Sequence, residues 1–327
     1  MTDTAYHAPP AAPTLGKAAE LRRLELLVTR KLDGLLHGEF LGIQPGPGTE
    51  FHGARAYEAG DDARRIDWNL SARSNGPMLR TTQADRELQT WVVLDSSSSM
   101  YFGTSEREKA DVAFAAVAAF GFLTARQGNH FGVMVGGRDE VNRLAPSSTR
   151  TGLMATLSRL YDLPRREEAP GEGADLASTL SALERAHPRR GLVIVVSDFL
   201  DDGEWDRSLT RLSLAHQVLA IQVVDRREYE LPAAGLLTLV DAETGREIDV
   251  QTNSAALRLR YAAAARERHD EIGHKLRKAG AGHLVLATDR DWLLDIVRFI
   301  AGSRTTRRTV TNLPEQRARA TQLRSVQ

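Results

Sequence analysis

Hydrophobic and polar positions alternate along this chain with two periods, and each change of period marks a new predicted element. Between residues 91 and 300, short apolar runs typical of buried strands alternate with longer stretches whose apolar positions recur at helical spacing. The predicted strands are 91–94, 131–135, 192–196, 218–224 and 283–287, and the predicted helices are 109–125, 151–161, 176–185, 205–214, 257–279 and 292–300. This alternation predicts an α/β fold, a mostly parallel sheet with helices on both faces.

The chain outside that alternation divides into shorter segments. Apolar residues at helical spacing predict an amphipathic helix over 18–36, and the many Gly, Pro and charged residues that follow predict short extended pieces joined by tight turns. The predicted organisation is a disordered arm over 1–16, a helix and turn-rich segment over 17–90 packed on the main domain, the α/β domain over 91–302 with a hairpin insertion at 236–250, and a disordered Arg-rich tail over 303–327.

Composition excludes several classes of function. The chain has 43 Lys plus Arg and 43 Asp plus Glu, so it has no surplus positive charge that would attract nucleic acid or an anionic membrane. It contains no cysteine, which excludes disulfides, thiolate metal ligands and cysteine nucleophiles. Residues 1–17 lack the apolar segment of a signal peptide, and no apolar run is long enough to span a bilayer. We therefore expect a cytoplasmic protein.

Oxygen-bearing side chains follow two of the predicted strands. Asp95, Ser97 and Ser99 come directly after the first strand, and Asp198 comes after the strand 192–196. Ligands of open α/β sheets bind at the carboxyl ends of the strands, and oxygen atoms are the ligands that Mg²⁺ prefers. The sequence therefore favours a site for a hard cation, although the same residues also suit a purely local role in shaping a turn or capping a helix.

Other catalytic patterns are missing from the sequence. It has no phosphate-binding loop of the GxxxxGK[ST] type, no HExxH zinc motif and no GxSxG nucleophile elbow. Ser97 stands where a phosphatase of the DxDx[TV] type carries its second aspartate. We therefore expect a binding protein rather than an enzyme.

Two motifs resemble known families. The pattern of Asp95, Ser97 and Ser99 followed by Ser197 and Asp198 resembles the metal-ion-dependent adhesion site of von Willebrand factor A domains. Upstream, the run AYEAGDDARRIDW over 56–68 is similar to the signature of domain-of-unknown-function family 58, and this similarity extends over most of the chain.

The resemblance implies a von Willebrand factor A-like fold and a protein-binding function. It implies that Asp95, Ser97, Ser99 and Asp198 hold Mg²⁺ or Mn²⁺, directly or through water, and that a carboxylate of the partner completes the metal shell. Members of the family are commonly encoded beside MoxR-type AAA+ ATPases, so such an ATPase and its client protein are the expected partners.

One position departs from the adhesion-site pattern. A threonine is expected just before the third helix, but the sequence has Ala174 there, between Gly173 and Asp175. A methyl group cannot ligate a hard cation. Water fills the position, Asp175 or Thr179 substitutes, or the metal binds weakly, and these three alternatives stay open.

The upstream motif has two interpretations of its own. Arg64, Asp67 and Arg73 form a structural ion-pair network with Trp68 as its apolar anchor, or these residues form a surface that faces a partner. A structural role is the favoured interpretation.

Three functional hypotheses follow from the sequence. The leading one is a metal-dependent protein-binding module that acts with a MoxR-type ATPase in the assembly or maturation of other proteins. The alternatives are a scaffold whose metal site is degenerate, and a metal-assisted hydrolase that uses the same carboxylates.

Overall fold

The computed structural model describes most of the predicted α/β region and parts of the segment before it. The described residues are 17–33, 50–58, 61, 66–74, 76–83, 89–125, 128–136, 141–163, 175–201, 203–241 and 245–302. The predicted arm over 1–16 and the predicted tail over 303–327 lie outside them. The chain divides into two compact units, one of residues 1–35 and 89–327 and the other of residues 36–88.

Secondary structure follows the predicted alternation closely. The strands are β1 Glu50–Ala56, β2 Met78–Gln83, β3 Gln89–Leu94, β4 His130–Val135, β5 Asn142–Ser147, β6 Leu192–Ser197, β7 Gln217–Val224, β8 Leu236–Val240, β9 Glu247–Gln251 and β10 Gly282–Ala287. The helices are α1 Lys17–Asp33, α2 Trp68–Ser71, α3 Lys109–Ala125, α4 Arg150–Tyr161, α5 Leu176–Ala186, α6 Trp205–Ala215, α7 Ala255–Lys278 and α8 292–302.

The larger unit is organised around a six-stranded sheet. Its strand order is β10-β7-β6-β3-β4-β5, and every neighbouring pair is parallel except β4 and β5. The predicted fold class, an α/β domain with a mostly parallel sheet, is therefore confirmed. Strands β3 and β6 lie at the centre, where both faces are covered, and their near-continuous apolar sequences suit that position.

Helices cover both faces of this sheet. On one face, α5, α6 and α7 bury side chains such as Leu180, Leu209 and Leu276 against Trp91 and Val195. On the other face, α3 contacts five of the strands, and α1 and α4 pack on it. Helix α3 is buried almost all round because it lies between the sheet and these two outer helices.

Strand β5 was not predicted. It pairs antiparallel with β4 at the edge of the sheet, and most of its side chains are exposed or half-buried. An exposed edge strand needs no apolar alternation, and Pro146 is tolerated there because the edge leaves some backbone N–H groups unpaired. The predicted hairpin is present as the antiparallel pair β8 and β9, and its residues 242–244 lie outside the described part of the chain.

The described residues of the smaller unit form an antiparallel pair of strands and one short helix. Strands β1 and β2 pair antiparallel from Ala56 opposite Met78, with a register shift between Phe51 and Gly53, and an isolated bridge joins Ile66 to Leu79. Extended pieces with tight turns were the prediction for this segment. No helix in the described part of the chain is both long enough and apolar enough to cross a membrane.

Candidate functional site at the carboxyl edge of the sheet

The carboxyl ends of the two central strands meet at one edge of the sheet. The backbone N–H of Asp95, the first residue after β3, donates to the carbonyl of Val196 in β6 at 2.9 Å. On the other side of β3, the N–H of Gly136 donates to the carbonyl of Leu94 at 3.0 Å. These bonds hold the loop after β3 between the ends of β6 and β4, where the parallel topology predicts a ligand site.

The Asp95 carboxylate organises this loop. Its Oδ1 accepts a hydrogen bond from the N–H of Ser97 at 2.8 Å, and its Oδ2 accepts one from the hydroxyl of Ser197 at 2.6 Å. The hydroxyl oxygens of Ser97 and Ser99 lie 3.1 Å apart, and all these side chains are buried. The structure therefore brings the three predicted oxygen ligands Asp95, Ser97 and Ser99 together in one loop.

Asp198 lies in a tightly bonded turn after β6. The N–H of Leu200 donates to its Oδ1 at 3.0 Å, and the N–H of Phe199 donates to the hydroxyl of Ser197 at 2.8 Å. Phe199 has a φ of 59°, in the left-handed region that a bulky residue rarely adopts. The fourth predicted ligand is thus held at the same edge by a turn with backbone strain.

A lysine that the sequence analysis did not single out binds Asp198. Lys109 is the first residue of α3, and its Nζ lies 2.6 Å from Oδ2 of Asp198. The same ammonium also pairs with Oε1 of Glu228, which lies in the turn after β7. The Lys109 side chain is 0% exposed and that of Asp198 is 2% exposed. This is a buried ion pair with two carboxylates on one ammonium.

The charges of this cluster change the proton affinity of its members. Burial, together with the charge of Asp198, raises the pKa of Asp95 to about 7. Burial alone would lower the pKa of Lys109, but the charges of Asp198 and Glu228 outweigh burial and raise it. Lys109 is therefore a permanent ammonium at neutral pH, whereas Asp95 titrates there.

The polar network continues along the edge of the sheet beyond β6. Glu228 accepts a hydrogen bond from the N–H of Asp225 at 2.9 Å and so closes a capping box. Asp225, which is fully buried, accepts bonds from the hydroxyls of Thr104 and Thr288, each at 2.6 Å. Burial would raise the pKa of Asp225, but these bonds lower it. The ends of β6, β7 and β10 are thereby linked through side chains.

A cleft opens beside the loop after β3. It has a volume of about 530 Å³ and is lined by residues that include Leu21, Leu24, Asp95, Phe114 and Tyr161. Its walls are mainly apolar and come largely from α1, α3 and α4, and its polar lining includes Asp95 and Ser96 of the loop together with Glu20 and Asp111 of the helices. An apolar cleft with a few convergent polar groups is typical of a binding site.

The structure gives Asp175 a capping role. It is the N-cap of α5, and its Oδ1 accepts a hydrogen bond from the N–H of Ala177 at 2.9 Å. Thr179, the other candidate substitute, is buried, and its hydroxyl donates to the carbonyl of Asp175 at 3.1 Å. Ala174 lies outside the described residues. Asp175 therefore caps a helix, and its ligation of a metal stays a prediction.

The upstream motif is described in part. Asp67 caps α2 and accepts hydrogen bonds from the N–H groups of Asn69 and Leu70, each at 3.1 Å. Trp68, the first residue of a four-residue helix, is 71% exposed, which favours the partner-facing interpretation of this residue over the apolar anchor. Arg73 is exposed, and Arg64 lies outside the described residues. The ion-pair network therefore stays a prediction.

The donor set fits the predicted divalent cation only in part. The loop residues Asp95, Ser97 and Ser99 offer the oxygen atoms that Mg²⁺ prefers. Asp198 fits less well, because its Oδ2 is bound to the buried ammonium of Lys109. Among the residues that the structure describes, no three His, Asp or Glu side chains form a metal-binding group. A cation site that depends on Asp198 therefore competes with Lys109.

Comparison with known proteins gives one family. The sequence model of the family described as "Protein of unknown function DUF58" matches residues 53–271. An uncharacterized protein of Mycobacterium tuberculosis is 44% identical over 290 residues, which cover 88% of this chain and 90% of the relative. An uncharacterized protein of Mycobacterium avium is 40% identical over 167 residues, which cover 50% of this chain and 95% of the relative.

Solved structures also show similarity. The conserved hypothetical protein BatB from Bacteroides thetaiotaomicron matches with a TM-score of 0.42 and 14% identity, covering 67% of this chain and 99% of that one. The von Willebrand factor A domain of SpRpn10 matches with a TM-score of 0.35 and 14% identity, covering 64% of this chain and 93% of that one.

Proposed function

This chain belongs to the DUF58 family, and from that premise we propose that it is a protein-binding module. Its partner contacts the carboxyl edge of the six-stranded sheet, at the cleft beside the Asp95 loop. The observation that carries this proposal is the junction of an apolar cleft of about 530 Å³ with the buried cluster of carboxyl and hydroxyl groups after β3 and β6.

The chemistry of the cleft suits a segment of a partner protein. Apolar walls such as Leu24 and Phe114 bury an apolar side chain, and burial of apolar surface is the main favourable term in association. The polar wall at Asp95 and Ser96 orients a donor group of the same segment. Polar groups placed in this way supply specificity, because a partner that leaves them unpaired binds less well.

The partner that the family resemblance implies is a MoxR-type AAA+ ATPase, with the client on which the two proteins act. We include that ATPase in the proposal as the protein to test first. The dependence of binding on Mg²⁺ or Mn²⁺ is a separate prediction from the sequence, and the same assay measures it.

The test is capture of the purified ATPase by the immobilised chain. We expect Asp95→Ala to reduce capture at least tenfold, because the substitution removes the acceptor that holds the loop through Ser97 and Ser197. Asp249→Ala, in the exposed hairpin strand β9, is the matched control and should leave capture unchanged. Equal capture by both variants, each with the far-UV spectrum of the native chain, would refute the proposal. Capture is measured with Mg²⁺ and with EDTA.

A hydrolase is the second candidate, and one observation favours it. The pKa of Asp95 is raised to about 7, and a general acid or base works best when its pKa lies near the working pH. Turnover of a panel of phosphoesters that disappears in Asp198→Asn would favour the hydrolase. A chain that captures the ATPase but turns over none of the panel would favour the binding module.

A further inference from the structure

We propose that the ammonium of Lys109 is the cation that neutralises Asp198 at the carboxyl edge of the sheet. It occupies the position that the sequence predicts for a divalent metal. The edge therefore keeps its arrangement without Mg²⁺ or Mn²⁺. This inference does not rest on the proposed function, because it concerns how the carboxylates are neutralised and not which partner they meet.

The position of Lys109 in its helix gives the first argument. Lys109 opens α3, where the helix dipole presents partial positive charge and an acidic residue is the favourable choice. It is also completely buried, and burial of a lone ammonium is strongly unfavourable. Both effects oppose a lysine here, so its two carboxylate partners have to supply the compensation.

The use of the Asp198 oxygens gives the second argument. Oδ2 lies 2.6 Å from Nζ of Lys109, and Oδ1 accepts from the N–H of Leu200. A divalent cation at this carboxylate would lie close to a buried ammonium whose side chain is 0% exposed. Repulsion between two such cations is strong in a site with little water.

Glu228 gives the third argument. Its Oε1 pairs with Lys109, and its Oε2 accepts from the N–H of Asp225, so the carboxylate is fixed by two bonds. The ammonium thus joins the end of β6 to the end of β7, which are neighbouring strands of the sheet. A metal ion bound by residues of two loops joins those loops in the same way, so the ammonium can replace the metal in this structural role.

The sequence at Ala174 agrees with this arrangement. The hydroxyl that the adhesion-site pattern expects at this position is absent from the sequence, and a second expected ligand, Asp198, carries an ammonium. Either change alone weakens a metal site. Weak metal binding could therefore have two causes, the missing hydroxyl at Ala174 or the ammonium of Lys109, and substitutions at the two positions tell them apart.

The experiment is titration of the purified chain with Mg²⁺ and with Mn²⁺, followed by calorimetry and by thermal unfolding. We expect no saturable binding to the native chain and a change in melting temperature below about 1 °C, because a ligand that does not bind cannot stabilise. Ala174→Thr should also fail to bind, because it restores the hydroxyl but leaves Lys109 on Asp198.

The decisive variant is Lys109→Met/Glu228→Gln, which removes the ammonium together with one of its carboxylates. Its melting temperature in EDTA should be lower than that of the native chain, and Mg²⁺ at about a hundredfold excess over Kd should raise it by roughly 4 °C. Adding Asp198→Asn should abolish that rise. The matched control is Lys275→Met/Glu271→Gln, the same charge change at an exposed pair in α7, which should gain no binding.

Two results would overturn the inference, and neither needs the double variant to fold. One is saturable binding of Mg²⁺ or Mn²⁺ to the native chain that is lost in Asp198→Asn. The other is binding gained by Ala174→Thr alone, which would show that the missing hydroxyl, and not Lys109, excludes the metal. Failure of the ATPase to bind affects the proposed function only, since these titrations contain no partner.

Discussion

Replacing Asp95 by asparagine should stabilise the protein above neutral pH. The asparagine side chain has nearly the same shape, and its amide group can keep one acceptor for the N–H of Ser97 and one polar contact with the Ser197 hydroxyl. The substitution removes a buried charge that lies close to the charge of Asp198. It therefore isolates the cost of ionising this carboxyl in the folded protein.

The pKa of Asp95 sets the size and sign of the effect. Its ordinary value is 3.8 and its folded value is about 7, so between these pH values the folded chain binds a proton that the unfolded chain has lost. Stability of the native protein relative to the variant then falls as pH rises, by about 1.4 kcal/mol for each pH unit, and levels off above about pH 7. From pH 5 to pH 8 the difference should grow by about 3 kcal/mol in favour of Asp95→Asn.

Urea unfolding at a series of pH values measures this difference. Both proteins are unfolded in EDTA, so that no added cation neutralises the carboxylates, and Asp249→Asn at the exposed strand β9 serves as the control. Groups that titrate equally in both proteins cancel in the difference. A difference that stays constant between pH 5 and pH 8 would refute the interpretation that burial and Asp198 raise the pKa of Asp95.

Three further substitutions test packing, bonding and exposure, each by its urea midpoint. Gly132→Ala should cost about 1–3 kcal/mol, because the added Cβ would lie 2.8–3.0 Å from ring carbons of the buried Trp91. A midpoint equal to that of the native chain would contradict this. Ser197→Ala should cost about 1–3 kcal/mol, because it leaves the buried N–H of Phe199 without its acceptor, and a neutral result would show that another acceptor replaces it. Trp68→Ala should change stability by less than about 0.5 kcal/mol because the ring is exposed, and a larger loss would support the anchor interpretation.

The α/β fold could be predicted because its signal is repeated along the chain. Helix α3 was predicted with the bounds that the structure shows, since a 17-residue apolar segment between two apolar strands has few other uses. Strand β5 was missed because an edge strand with exposed side chains lacks an apolar period. The pattern of apolar residues thus predicts elements that bury side chains, and it does not predict an element that is held mainly by backbone hydrogen bonds.

The sequence predicted where several residues of the candidate site lie, but it did not predict the ion pair. Asp95, Ser97, Ser99 and Asp198 could be found because the carboxyl ends of parallel strands meet at one edge. Lys109 was missed because its partners lie 89 and 119 residues away, and no local pattern joins them. One signal was available: a lysine at the first position of a mostly apolar helix opposes the helix dipole, so its presence there indicates a specific partner.

The long sequence separations within the ion pair also affect how the chain folds. Strands β6 and β7 pair over a shorter sequence separation than β3 and β4 do, so the two carboxylates that follow β6 and β7 can come together before Lys109 reaches them. An ammonium buried without a partner costs several kcal/mol, so the amino end of α3 should stay hydrated until β6 has joined β3. The ion pair therefore makes the docking of α3 conditional on correct strand order, and it raises the energy of collapsed states in which another strand takes the place of β6.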